Sequence, residues 1–188
     1  MECMETPTLT TPHLILRPAS PADIPFILKL FGRPETNQYS EYENIATFEQ
    51  ARKMYELYLT PSAPTQFRLV AELAEKREPV GTIGLYHYSE ANRRAEMGYD
   101  LLREYWGRGL MAEAVSEVLR YVFEDLKLNR IEATTDTENA ASIRVLERAG
   151  FIREGLFRER FFYKGGFHDE FFFSLLAEDR ARRAGPRP

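Results

Sequence analysis

Apolar and polar positions recur along this chain with two different periods, and the order in which the periods switch sketches the fold before any single residue is weighed. His13 to Pro18 (HLILRP) reads as a first strand closed by proline. SPADIPFILKLF then opens a helix capped at Ser20, with proline in its first turn. A second helix is predicted over Thr47 to Leu59, ended by Pro61. Two strand-like runs, QFRLVAEL and VGTIGLYHY, flank the charged turn AEKREP and predict a hairpin, with RAEMGYDLL as a third strand after them. From Leu110 the period changes. Leu110, Ala114, Val115, Val118, Leu119, Val122, Phe123 and Leu126 recur at helical spacing, which predicts an amphipathic helix lying on a sheet. RIEATT is then a short strand, and NAASIRVLERAG a helix stopped by Gly150 just past its end. Two aromatic-rich runs around Lys164, Gly165 and Gly166 predict a closing hairpin.

This mixed order specifies an α+β or α/β domain with a largely antiparallel central sheet covered by helices, and not a regular βαβ alternation. No internal repeat or low-complexity segment interrupts it. With 188 residues, 44% of them apolar, the chain can bury one substantial core. A single domain is expected over residues 8–178. RARRAGPRP lies outside any apolar period, so residues 179–188 are expected to form a flexible basic tail.

Charge and cysteine content narrow the chemistry. A net charge of -4 argues against nucleic-acid binding by bulk electrostatics. The one cysteine, Cys3, permits neither an intramolecular disulfide nor a cysteine-built metal site, and suits a reducing compartment. MECMETPTLTTPHLILRP has no basic n-region and no long apolar h-region, and nothing later reaches membrane-spanning length, so a cytoplasmic protein away from the membrane is expected. His13, His87 and His168 are too scattered for a metal motif, and no metal is expected. His87 either faces a substrate cleft or is a satisfied strand histidine.

The stretch YWGRGLMAEA, Tyr105 to Ala114, sets two glycines and an arginine directly before the amphipathic helix. Glycine there allows another group to approach the backbone closely, and a helix N-terminus offers unpaired N–H groups that suit an anion such as phosphate. The same residues could also be no more than a tight strand-to-helix turn. The full GxGxxG of a dinucleotide fold is absent.

YWGRGLMAEA, followed about thirty residues later by NAASIRVLERAGFIREG, resembles the GCN5-related N-acetyltransferases, and among them the RimJ/RimL type that acetylates protein N-termini. The resemblance spans nearly the whole chain. It implies a mixed, mostly antiparallel and splayed sheet of about seven strands flanked by about four helices. It also implies acetyl-coenzyme A as co-substrate, with its pyrophosphate on the loop of Gly107, Arg108, Gly109, Met111 and Ala112. The family pattern (Gln or Arg, two residues, Gly, one residue, Gly or Ala) falls on Trp106 to Met111, and both ends depart from it. Arg108 either reaches a phosphate or points to solvent.

In such enzymes the preceding strand is bulged and lets pantetheine add alongside it. Here that strand is AEMGYDLL, with Gly98 compatible with a bulge or a close backbone approach and the backbone near Leu101 and Leu102 holding pantetheine amides. Asn139 matches a coenzyme-bonding position and is equally a preferred N-cap residue. Ser142 would lie near the departing sulfur; many relatives carry a tyrosine further along the helix, where this chain has Leu146. Glu96 matches a carboxylate that removes the amine proton through water, or is an ordinary strand-end glutamate. The expected acceptor is a protein N-terminus, with a polyamine, amino acid or aminoglycoside-like amine as the alternative and a non-catalytic coenzyme sensor as a third reading. A homodimer is compatible with the family.

Overall fold

A strand that is buried along nearly its whole length needs a helical layer on each face, and Phe67–Leu73 is such a strand. Its odd residues Phe67, Leu69 and Ala71 enter the main core, while Val70 enters a second cluster on the opposite face. The structure is a computed structural model that describes residues 6–59 and 66–184; Cys3, and Pro61 with the helix end expected there, lie outside the described residues.

Eight strands and five α-helices are present among the described residues, one strand and one helix more than the resemblance implied. In chain order these are β1 (Leu9–Thr10), β2 (Leu14–Pro18), α1 (Ile24–Phe31), α2 (Phe48–Met54), β3 (Phe67–Leu73), β4 (Pro79–Ser89) and β5 (Arg94–Leu101). They are followed by α3 (Leu110–Arg120), β6 (Arg130–Asp136), α4 (Ala140–Ala149), β7 (Ile152–Tyr163), β8 (Gly166–Leu176) and α5 (Ala177–Ala184). The sheet order is β1-β2-β3-β4-β5-β6-β8-β7, and β5–β6 is the parallel pair in an otherwise antiparallel ladder.

The helical face read from the sequence is the one that packs: Leu110, Ala114, Val115, Val118, Leu119 and Val122 are all buried in the main core, with Phe123 and Leu126 against it. α1 and α2 cover the other face of the first strands through Ile27, Leu30, Ala51 and Met54. Thr47 caps α2 by accepting from the Gln50 N–H, but the regular helix stops at Met54 and widens into one π-type turn over Tyr55–Leu59. Residues 179–184 of the expected basic tail lie in α5, a helix with acidic residues in its first turn and arginines in its last.

Two features position the site. Pairing between β5 and β6 covers only Arg94–Glu96 against Arg130–Glu132; beyond it β5 stays with β4 as far as Leu101, β6 stays with β8 as far as Asp136, and a gap opens between them. The bulge expected around Gly98 lies instead on the neighbouring strand. Gly98 sits in unbroken register opposite Gly84, whereas β4 shifts register between Tyr86 and Ser89, with His87 at φ 49°. The absent side chain of Gly98 makes room for an aromatic ring, since a Cβ there would meet Tyr86 Cε2 at 2.9 Å.

Candidate active site

The gap between β5 and β6 is a cavity of about 370 Å³, closed at one end by the loop entering α3, roofed by α4 and open to the segment after α1 at the other. Gly107 and Gly109 form the first end with φ of 74° and 80°, the left-handed region that glycine enters without penalty. A Cβ on either would meet no heavy atom within 4 Å, so both backbones face open space. Leu110, Met111 and Ala112 contribute the first-turn amides of an eleven-residue helix, which have no partner within that helix. Main-chain donors, open space and a helix dipole together fit a pyrophosphate. All of these loop residues line the cavity, and Arg108 does not: its guanidinium lies 5.1 Å from the Tyr105 ring centroid.

The resemblance implies pantetheine along the middle of the gap. Leu101 lines it, and its carbonyl accepts from Trp106 Nε1 at 2.8 Å. Leu102 is not brought to the cavity: its side chain is fully buried with α1 and α2, its N–H donates to the Val80 carbonyl, and its carbonyl accepts from Tyr105. Of the two, only Leu101 lies at the cavity, with its carbonyl under the indole. Trp106 is the one tryptophan of the chain. Binding of coenzyme A along β5 should therefore shift or quench intrinsic indole emission as Nε1 exchanges its carbonyl for ligand or water. A saturating coenzyme titration without any emission change would place the pantetheine away from Leu101.

Asn139 is placed at the cavity as the N-cap of α4. Its Oδ1 caps α4 by accepting from the Ser142 N–H at 3.1 Å, and the residue lines the cavity. Ser142 also faces the gap, its Oγ 2.9 Å from the Tyr99 hydroxyl. Leu146, in the position where relatives carry tyrosine, is buried in the core and also forms part of the lining.

Carboxylates gather at the open end. Glu96 does not line the cavity; its carboxylate is 3.0 Å from His87 Nδ1, at the bulge. Glu170 of β8 does line it. Its Oε2 is buried with no hydrogen-bond partner, and the nearest cation is the Arg160 guanidinium at 3.4 Å. Burial raises its pKa, more than Arg160 and a hydrogen bond with Thr134 lower it, and the negative Glu96 and Asp136 add to the rise. Asp100 also lines the cavity and pairs with the buried Arg68, which bonds Thr82 at 3.0 Å; here too burial pushes the carboxyl up and outweighs the guanidinium.

Sequence reasoning missed Glu170, Tyr99 and Asp100. Tyr99 and Asp100 could have been found from their place between Gly98 and Leu101, because the whole run from Met97 to Leu101 lines the gap where β5 leaves β6. The place of Glu170 depends on β8 inserting between β6 and β7, which no local pattern announces.

The histidines are all engaged with carboxylates: His13 with Glu113, His87 with Glu96 and His168 with Asp136. Among the described residues no three His, Cys, Asp or Glu side chains are grouped to hold a metal ion. No described helix is long and apolar enough to cross a membrane.

Known proteins share this arrangement. The profile of the acetyltransferase (GNAT) domain matches residues 13–152. The chain is 37% identical to the Bacillus licheniformis protein named "Uncharacterized N-acetyltransferase p20", over 93% of this chain and 98% of that one. It is 36% identical to Bacillus subtilis YdaF, named as a candidate ribosomal N-acetyltransferase, over 53% of this chain and 54% of the relative. In three dimensions it is similar to spermidine N-acetyltransferase from Vibrio cholerae, solved with CoA and spermine: TM-score 0.79, 25% identity, covering 89% of this chain and 98% of that one. Domain match, near full-length kinship and a glycine-lipped gap in a splayed sheet agree, and the chain belongs to the GNAT family of acetyl-CoA-dependent N-acetyltransferases.

Proposed function

We propose that this acetyltransferase modifies the N-terminal α-amino group of a protein, by direct attack of the neutral amine on the thioester of acetyl-coenzyme A. One observation carries the chemistry: Glu170 brings a carboxyl to the lining at the acceptor end of the cavity, its buried Oε2 without a hydrogen bond and facing the Arg160 guanidinium at 3.4 Å, and such a carboxyl can take a proton from an ammonium held there. Bound acetyl-coenzyme A supplies an acyl group activated as a thioester. The chain's own residues do the rest. The amides of Leu110, Met111 and Ala112 hold the phosphates. The free side of β5 aligns the pantetheine arm, and one of its N–H groups polarises the reacting carbonyl. Glu170 takes the ammonium proton, and Ser142 donates a hydrogen bond to the departing sulfur. Glu96, held by His87, supports the local negative field from outside the lining.

The shape of the acceptor end supports a chain terminus. Its lining takes Glu35, Thr36, Tyr39 and Ser40 from the segment after α1 and Glu170 from β8, whose hairpin with β7 lies beside that segment. Lys164 at the hairpin turn joins them by donating to the carbonyls of Asn37 and of Gln38, the latter at 2.9 Å. The kinship with YdaF points the same way. The lone thiol and the acetyl-coenzyme A supply suit work in the cytoplasm.

A polyamine acceptor is the second reading, favoured by carboxylates of Glu35, Asp100 and Glu170 around one cavity and by the likeness to a spermidine enzyme. The comparison that separates them is kcat/KM for peptides with free α-amino groups, the same peptides N-terminally blocked but containing lysine, and a set of polyamines and amino acids. Unblocked peptides are expected to lead. A polyamine or free amino acid ahead of every peptide by tenfold would transfer the assignment to the second reading. No thiol release with any amine, despite tight coenzyme binding, would indicate a sensor.

A further inference from the structure

The contact between Tyr99 and Ser142 has no part in the scheme above. β5 and β6 part after Glu96 and Glu132, yet three residues further along β5 the Tyr99 hydroxyl spans to α4. It lies 2.9 Å from Ser142 Oγ and 3.4 Å from the Ser142 carbonyl oxygen. The Tyr99 ring is held from behind, on the same strand face as the buried Ala95 and Met97 and packed against the main core. Ser142 is held as well, because its N–H is bound by the Asn139 cap. Two side chains from separate elements thus fix one small hydroxyl in the wall of the reacting cavity.

A hydroxyl carries one proton and can accept as well as donate. An unguided serine in the first turns of a helix turns its proton to a nearby backbone carbonyl, where it is of no use to a substrate. A phenol is the stronger acid and hence the better donor of the two. Burial pushes the Tyr99 phenol well above its ordinary range, against the bond to Ser142, so it stays protonated at neutral pH. With Tyr99 donating into Ser142 Oγ, the Ser142 proton is left to point in another direction, and the cavity is the open one.

We propose that Tyr99 is a positioning residue whose O–H···Oγ bond aims the Ser142 proton into the cavity, at the sulfur that leaves during acetyl transfer. This rests on the reading of Ser142 as hydrogen-bond donor to that sulfur. The C–S bond breaks as the C–N bond forms, its electron pair stays on sulfur, and Ser142 stabilises the thiolate by donation. Tyr99 gives up no proton, and the thiolate is protonated by water after release. The device differs from a tyrosine on the motif helix, since here the phenol sits on the sheet and acts through a second hydroxyl.

The test is a double-mutant cycle on the single-turnover rate of acetyl transfer, read beside acetyl-coenzyme A affinity. Tyr99→Phe removes one oxygen and keeps the packed ring. It is expected to lower the rate about tenfold, in line with a hydrogen bond to a charged group, with affinity unchanged. In a Ser142→Ala chain the same change should alter the rate by less than twofold. If Ser142→Ala is fully active, the donor reading of Ser142 fails and takes this inference with it. If Ser142→Ala is slow but Tyr99→Phe is silent, or its loss adds in full to that of Ser142→Ala, the positioning role alone is overturned. Loss of coenzyme binding in Tyr99→Phe would likewise overturn it, because a hydroxyl that only aims its neighbour leaves the pocket intact.

Discussion

Replacing Gly109 with valine is expected to weaken acetyl-coenzyme A binding at least tenfold, about 1.4 kcal/mol, in a chain that still folds. Gly109 is the N-cap of α3 at φ 80°, where a side chain is strained, the more so a β-branched one. No atom of the described residues lies within 4 Å of the added Cβ, so the variant meets no clash there that would unfold the core. The new side chain instead enters the space facing the first-turn amides. Should the backbone relax away from positive φ, those amides turn aside; should it hold, isopropyl occupies the phosphate position. Arg108→Ala is the control, since Arg108 stands outside the lining, and it should change affinity by less than about threefold, the scale of a screened surface charge. Calorimetry of coenzyme binding on both folded variants decides the matter, and unchanged affinity in Gly109→Val would dismiss the phosphate loop.

Glu170→Gln should lower kcat by about 10² to 10⁴-fold with little effect on coenzyme affinity, the range for loss of a general base. Burial holds the Glu170 carboxyl above the ordinary carboxylate range, so the group is a better proton acceptor than a surface glutamate. The sign follows directly. The base works only when ionised, so kcat/KM of the native enzyme should rise with pH as Glu170 loses its proton, and that rise should sit above the usual carboxylate range. In Glu170→Gln the limb should vanish and the residual rate track free amine in solution. Glu96→Gln should cost only a few-fold, because Glu96 bonds His87 and acts on the site as a nearby negative charge. The reverse ranking of the two variants would return the base role to Glu96.

The parts of the fold that were legible in the sequence are those in which local period and burial coincide. The face of α3, the start of α2 at Thr47, the stop of α4 at Gly150 and the hairpin turn at Lys164 and Gly165 all depend on near neighbours. At Gly98 the sequence leaves both a bulge and a close approach open, because glycine in a strand signals either, and only the cross-strand ring of Tyr86 tells them apart. The helix after Leu176 was missed because its apolar residues are few and its arginines resemble a solvated run. Within the candidate site, Gly107, Gly109, Met111, Ala112, Asn139 and Ser142 come together at one cavity, all from two contiguous motifs. Glu170 joins them from a strand far along the chain, and Arg68 backs Asp100 from another; such meetings are set by sheet topology and leave no periodic trace.

That topology also governs when the protein becomes competent as it is made. β8 follows β7 in the chain but lies between β6 and β7 in the sheet. A growing chain that has emerged only as far as Tyr163 therefore has neither edge settled: β7 has no partner, and β6 offers an open ladder from Arg130 to Asp136. Emergence of β8 seals both edges in one event and carries Glu170 into the cavity at the same moment. Before it, the nascent protein could assemble the phosphate loop and α4 and yet lack Glu170, the proton acceptor proposed above. Unpaired strand edges of this kind are where premature chains stick to one another or recruit chaperones, so the interval before β8 emerges is the vulnerable one in biosynthesis.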